Sequence, residues 1–218
     1  MTTVEDREFL PAMARPSLLR YYDTVSRLMG ARDLHWQLVA QAGIEPGTTV
    51  VEIGCGTGNV LALAARVYPD VVVIGLDPDP EALAIAARKT QRAGLAVRLD
   101  RGYADRLPYA DGSVDRVLSS FMLHHLPPAE QQAALREAHR VLAPGGRLHL
   151  LDFAGGRPTP PRVMRLLHRR HDHTGPRPHV HATGDTATAL TEAGFTDVAL
   201  TGRGTTAFGA HTFHRAVR

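Results

Sequence analysis

A chain of 218 residues with 44% hydrophobic and 22% charged residues can bury the core of one ordinary α/β domain plus an appendage. Its net charge of +3 is too small and too dispersed to argue for a nucleic-acid partner. No run approaches the roughly eighteen apolar residues of a membrane span and no signal peptide is visible, so a soluble cytoplasmic protein is expected, while the choice between monomer and homodimer stays open.

The single cysteine, Cys55, leaves no partner for an intramolecular disulfide and no cysteine cage for a metal, and Lys89 is the only lysine. Apolar residues recur at helical spacing around Glu5 to Ala14, Ser17 to Met29 and Arg32 to Ala42, with Gly43 as a C-cap. Residues 1–45 are therefore read as an amino-terminal helical unit. Thr48 to Ile53 is β-branched and apolar and stops at a glycine loop, as a buried parallel strand does.

A helix over Asn59 to Tyr68 follows, then a strand ending at Asp77 and a helix over Pro80 to Ala93, with proline in its first turn. Ala96 to Asp100, Val114 to Ser119 and Arg147 to Phe153 read as further strands, with a helix over Pro128 to Leu142. This alternation predicts a mainly parallel sheet covered on both faces. A His-, Arg- and Pro-rich insertion at about 155–183 breaks the rhythm, and Asp185 to Ala193 resumes it as a helix. Phe195 to Leu200 and Thr206 to Val217 are expected to pair as a terminal hairpin.

In open α/β sheets, ligands bind beyond the carboxyl ends of the strands. The loop there reads Glu52-x-Gly54-x-Gly56-x-Gly58, whereas a dinucleotide fingerprint needs glycine where Asn59 stands, and a triphosphate loop needs Gly-Lys-Ser/Thr. Alternate glycines let bare backbone approach a ligand at a helix amino end. Asp77, closing the second strand, has the placement of an acid that accepts from vicinal ribose hydroxyls. A phosphate-free adenosyl ligand fits this pattern.

The same residues resemble the class I S-adenosylmethionine-dependent methyltransferases, in particular the small-molecule branch related to the ubiquinone and menaquinone methyltransferases. Val50-Val51-Glu52-Ile53-Gly54-Cys55-Gly56-Thr57-Gly58 is similar to the first cofactor motif and Gly75-Leu76-Asp77 to the second. Leu107-Pro108-Tyr109-Ala110-Asp111-Gly112-Ser113-Val114-Asp115, Leu123-His124-His125-Leu126 and Arg140-Val141-Leu142-Ala143-Pro144-Gly145-Gly146 complete the likeness.

The resemblance implies a Rossmann-like α/β fold with seven strands, mainly parallel with an antiparallel last strand, and an amino-terminal helical lid. Residues 46–218 would form the core, and S-adenosylmethionine would be the cofactor, leaving S-adenosylhomocysteine as product. It implies cofactor contacts from Tyr22, Glu52, Gly54, Cys55, Gly56, Gly58, Asp77, Pro78, Ala104, Ser120 and Phe121. One departure stands out: Tyr103 occupies the place of the family's adenine-binding Asp. Asp105 can take over, or Tyr103 can stack on the purine.

Methyl transfer needs alignment first, and a general base only where the accepting atom carries a proton. His124 and His125, just after the fourth strand, are the candidates, with a loop-holding role as the alternative for His125. His168, His171, His173, His179 and His181 invite a metal hypothesis, but neighbouring arginines such as Arg165 and Arg169 repel a cation and no carboxylate completes a signature, so no metal is expected. The expected acceptor is a small molecule methylated on oxygen or carbon. A cyclase, isomerase or partner subunit that keeps the cofactor site is the alternative.

Overall fold

Strands and helices alternate along the residues that the computed structural model describes, namely Asp23, 30–154, 185–206 and 209–218. In chain order they are α1 (Ala31–Gln41), β1 (Thr49–Ile53), α2 (Asn59–Val67), β2 (Val72–Asp77), α3 (Pro80–Arg92), β3 (Arg98–Arg101) and β4 (Val114–Ser120). A single 3₁₀ turn (Leu123–His125) then leads to α4 (Pro128–Val141), β5 (Leu142–Phe153), α5 (Thr186–Glu192), β6 (Thr196–Thr206) and β7 (Gly209–Val217). The two earlier helical stretches, Tyr22 and the insertion with its histidines lie outside the described residues.

The seven strands form one sheet in the order β3-β2-β1-β4-β5-β7-β6. Neighbours from β3 through β5 are parallel, while β7 runs antiparallel to both β5 and β6. Successive side chains of a strand point to opposite faces, so each central strand feeds two cores. Val51, Ile53, Ile74, Leu76, Val117, Leu148 and Leu150 pack with Ala134, Leu135, Ala138 and Val141 of α4 and Leu190 of α5. Val50, Val73, Leu118, Leu151 and Phe213 pack with Leu34, Leu38 and Val39 of α1 and Val60, Leu61 and Ala64 of α2. Each such leucine withdrawn from water contributes ~2 kcal/mol.

Two strands run longer than the sequence suggests. β5 begins at Leu142 because Leu142 pairs with Val114 across a register shift, which draws Ala143-Pro144-Gly145-Gly146 into the strand. β6 continues through the glycine-rich Thr201 to Thr206, which reads as a loop end. Gly202 and Gly204 lie against the rings of Phe213 and His211, and a Cβ on either would come within about 3 Å of them. The glycines make room for aromatic residues of the neighbouring strand.

Arg140 explains why two of the quoted motifs occur together. Its guanidinium donates to Glu137 at 2.7 and 2.8 Å, to Asp111 at 2.6 Å, and to the carbonyls of Tyr109 and Leu107 at 2.9 and 3.0 Å. Glu137 also accepts from the Leu107 amide at 2.7 Å. The Leu107 to Asp111 loop is thus stitched to α4, and Asp115 accepts from the Thr49 amide at 2.8 Å to fix the start of β1. Arg140→Ala is expected to lower the stability to unfolding by about 2 kcal/mol, the loss of charge-assisted bonds discounted for partial exposure. Urea denaturation measures it.

Candidate active site

The turn between β1 and α2 makes the site. Gly54, Gly56 and Gly58 all take left-handed φ, at 71°, 51° and 74°, a conformation that costs other residues. Two of them also answer to close packing. A Cβ on Gly54 would lie 2.3 Å from Met122 Cγ, and one on Gly58 would lie 2.9 Å from the Ala86 Cβ of α3. Around Gly56 a Cβ would meet nothing within 4 Å, so its backbone borders open space.

Asp77 closes β2 and reaches into this turn. Its carboxylate accepts from the Gly56 amide at 2.8 Å and from the Asp79 amide at 2.9 Å. Burial pushes its carboxyl up to about 6, aided by the charge of Asp79 and opposed by the two amides. Burial likewise raises Glu52 on β1, with the Asp77 charge adding, while the Leu61 amide in the first turn of α2 and the Lys89 cation oppose it. Oε2 of Glu52, and the hydroxyls of Ser119 and Ser120 at the end of β4, are buried without a partner among the described residues.

The Tyr103, Ala104 and Asp105 turn follows β3 and is tied to the end of β2 by a Gly102 amide bond to the Asp77 carbonyl at 3.2 Å. The Pro78 carbonyl accepts from Arg101 at 3.2 Å. Phe121, after β4, holds φ 52° although it carries a bulky side chain, and its amide donates to the Leu151 carbonyl at 2.8 Å. Left-handed backbone at a non-glycine residue costs energy and concentrates at functional sites. Apart from Tyr22, the expected residues therefore gather at the carboxyl edge of the sheet.

Cys55, expected among the cofactor contacts, is also held by the protein itself. Its thiol packs against Gly75, its amide donates to the Leu76 carbonyl at 3.0 Å, and its carbonyl accepts from the Gly58 amide at 2.8 Å. The carbonyl is thus committed within the turn, and the amide and thiol to the neighbouring strand β2. Burial raises the thiol, and the charges of Glu52 and Asp77 add to that.

The two histidines separate clearly. His124 Nδ1 lies 2.7 Å from Asp152 Oδ1, and Asp152 also accepts from the amides of Phe153 at 2.8 Å and His124 at 3.2 Å. A carboxylate so placed favours the tautomer with hydrogen on Nδ1, which leaves Nε2 as the basic atom. His125 has no such orienter among the described residues. Burial lowers it to about 4, the neighbouring His124 adding to the effect. The His124 ring sits 4.1 Å from that of His125 and 4.7 Å, edge-on, from Phe153, which in turn lies 4.9 Å from Phe121.

Sequence reasoning assigned no role to Asp152, although an acid at the end of an apolar central strand has the same signature as Asp77. It also passed over a cluster beside the turn. Asp23 accepts from Thr57 Oγ1 at 2.6 Å and Asn59 Nδ2 at 2.9 Å, and Lys89 Nζ stands 2.7 Å from the other Asp23 oxygen. Burial raises the Asp23 carboxyl, but Lys89, Thr57 and Asn59 together bring it below its ordinary value. No group of three or more His, Cys, Asp or Glu among the described residues is placed to hold a metal, and no helix among them is long and apolar enough to cross a membrane.

This strand order, with a bare turn after its first strand, defines a Rossmann-like protein that binds a nucleoside-type cofactor at the carboxyl edge of its sheet. Comparison with known proteins makes the class specific. Residues 50–146 match the methyltransferase domain family. The chain is 37% identical over 152 residues to a demethylmenaquinone methyltransferase of Thermus thermophilus, covering 68% of this chain and 66% of that protein. The chain thus spans just under two thirds of that relative's length.

A SAM-dependent methyltransferase from Aquifex aeolicus superposes with a TM-score of 0.69 at 22% identity, covering 94% of this chain and 99% of that one. Magnesium protoporphyrin IX methyltransferase from Synechocystis, with bound S-adenosylhomocysteine, gives a TM-score of 0.66 at 23% identity, over 93% and 98% of the two chains. The chain belongs to the S-adenosylmethionine-dependent methyltransferases, whose cofactor is S-adenosylmethionine. Its own residues fit that group: bare backbone at Gly56, a buried acid at the end of β2, and three buried polar atoms whose bonding capacity the described protein leaves unused.

Burial of the Asp77 carboxyl makes the stability of the cofactor-free protein depend on pH. The folded chain binds this proton more tightly than the unfolded one, so the Asp77 contribution to stability is fully present below the ordinary carboxylate range and is lost as pH rises through about 6. Asp77→Asn cannot titrate. It is expected to gain less in urea midpoint than the parent when pH falls from about 7 to about 5; equal gains would place the titration elsewhere.

Proposed function

We propose that this protein methylates a small-molecule acceptor on oxygen or carbon, the acceptor being a planar natural-product or quinone-like compound. The observation that carries this reading is the Asp77 carboxylate, buried and held by the Gly56 and Asp79 amides at the mouth of the glycine turn. Each carboxylate oxygen keeps a further lone pair for a ribose hydroxyl. Glu52, Ser120 and the Phe121 backbone would serve the amino-acid end, and the Tyr103 to Asp105 turn the adenine. S-adenosylmethionine, when bound, supplies an electrophilic methyl group on a sulfonium.

In this reading His124 is the general base. Asp152 holds its Nδ1–H, so Nε2 is free to accept the proton released by an acceptor hydroxyl or an acidic carbon. His125, lowered to about 4 by burial, is too weak a base for that step and supports the neighbouring ring instead. The rings of Phe121, Phe153 and His124 form a continuous aromatic group suited to packing a flat acceptor. The similarity to a relative named as a demethylmenaquinone methyltransferase supports a quinone-like acceptor.

Release of S-adenosylhomocysteine on mixing the protein and S-adenosylmethionine with a panel of phenolic and quinol acceptors tests the reading. Acceptor-dependent release supports transfer, and tight product binding without turnover for any acceptor supports the non-methylating alternative. Asp77→Ala is expected to weaken cofactor binding more than about tenfold by calorimetry. His124→Gln is expected to cut kcat by roughly a hundredfold with cofactor affinity unchanged. Unchanged kcat would remove His124 from the chemistry.

A further inference from the structure

Beside the glycine turn, and including its Thr57, lies a four-residue polar cluster built on the only lysine in the sequence. Lys89, on α3, places Nζ 2.7 Å from Asp23 and donates to Asn59 Oδ1 at 2.7 Å. Asp23 accepts from Thr57 and from Asn59 through its other oxygen. Thr57 is buried between Gly56 and Gly58, and Asn59 opens α2. The cluster therefore joins an amino-terminal carboxylate to the turn, to the start of α2 and to α3. Burial lowers His35 of α1, which is close enough to feel both charges, Lys89 adding to the lowering and Asp23 opposing it.

An isolated surface ion pair contributes little. Here both charged side chains are only a quarter exposed, and each also bonds a second member of the cluster, so the bonds reinforce one another. What they restrain matters too. Three left-handed glycines give the turn more conformational freedom than other residues would, and ordering such a segment in advance raises affinity by removing that cost from the binding step.

We propose that Lys89 is a positioning residue for cofactor binding: by ion-pairing with Asp23 and holding Asn59, it clamps Asp23 onto Thr57 and fixes the turn in its binding conformation. The inference rests on the reading of the turn as the S-adenosylmethionine site. It goes beyond that reading in assigning a role to Lys89 and Asp23, which lie outside the turn and act through Thr57 and Asn59.

Calorimetry with S-adenosylmethionine and with S-adenosylhomocysteine provides the test. Lys89→Met and Asp23→Asn are each expected to weaken both ligands by roughly tenfold, and the double variant by no more than either single one, because the second substitution removes a bond already lost. In turnover, KM for the cofactor should rise while kcat holds. A purely electrostatic role predicts the opposite sign. Loss of a cation would tighten the cationic donor and leave the neutral product unaffected, and that result would overturn the proposal, as would unchanged affinity for both ligands.

Labelling supplies a readout independent of cofactor. N-hydroxysuccinimidyl acetate should modify Lys89 severalfold faster in Asp23→Asn than in the parent, followed by peptide mass spectrometry, and equal rates would overturn the clamp. A parent protein that binds neither ligand would instead sink the cofactor reading beneath it.

Discussion

The hydrogen bond from the Gly56 amide to the Asp77 carboxylate is the constraint on which the active edge depends. It spans the gap between the loop leaving β1 and the end of β2, two segments that the sheet brings side by side through the pairing of Ile53 with Leu76. The amides of Gly54 and Cys55 both donate to the Leu76 carbonyl, so the turn is fastened to the neighbouring strand by main chain as well as by side chain. A helix can then start at Asn59 with its amino end towards the same space.

Packing around that turn leaves little freedom in its composition. Met122 occupies the volume a side chain at position 54 would need, and Ala86 does the same at position 58. The spacing of glycines follows from what the neighbouring elements press against as much as from what a ligand requires. Electrostatics adds a second layer: Glu52 and Asp77 are buried acids beside a single lysine, an environment that suits a cationic sulfonium better than a phosphate.

Much of the fold was legible from periodicity. The apolar runs of β1 and β2, the proline opening α3 and the glycines closing the turns are local signals that tertiary structure left in place. β6 was not. Gly202 and Gly204 look like a strand's end until the rings of Phe213 and His211 are seen lying over them. For the site, the acid at position 77 was legible because its strand and its loop are close in sequence. The pairing of His124 with Asp152 joins residues from different strand ends, and nothing local distinguishes His124 from His125. The Asp23 cluster was hidden for the same reason: its members come from three separate segments.

The committed position of Cys55 has a practical corollary. Because its sulfur is walled in by Gly75 and its burial raises the thiol, alkylating reagents and oxidants reach it only when this part of the molecule opens. A solitary sulfhydryl in such a place is a built-in gauge of local breathing. Its rate of reaction under native conditions reports the free energy of parting the turn from the second strand, with no engineered probe and no other thiol in these 218 residues to confuse the signal.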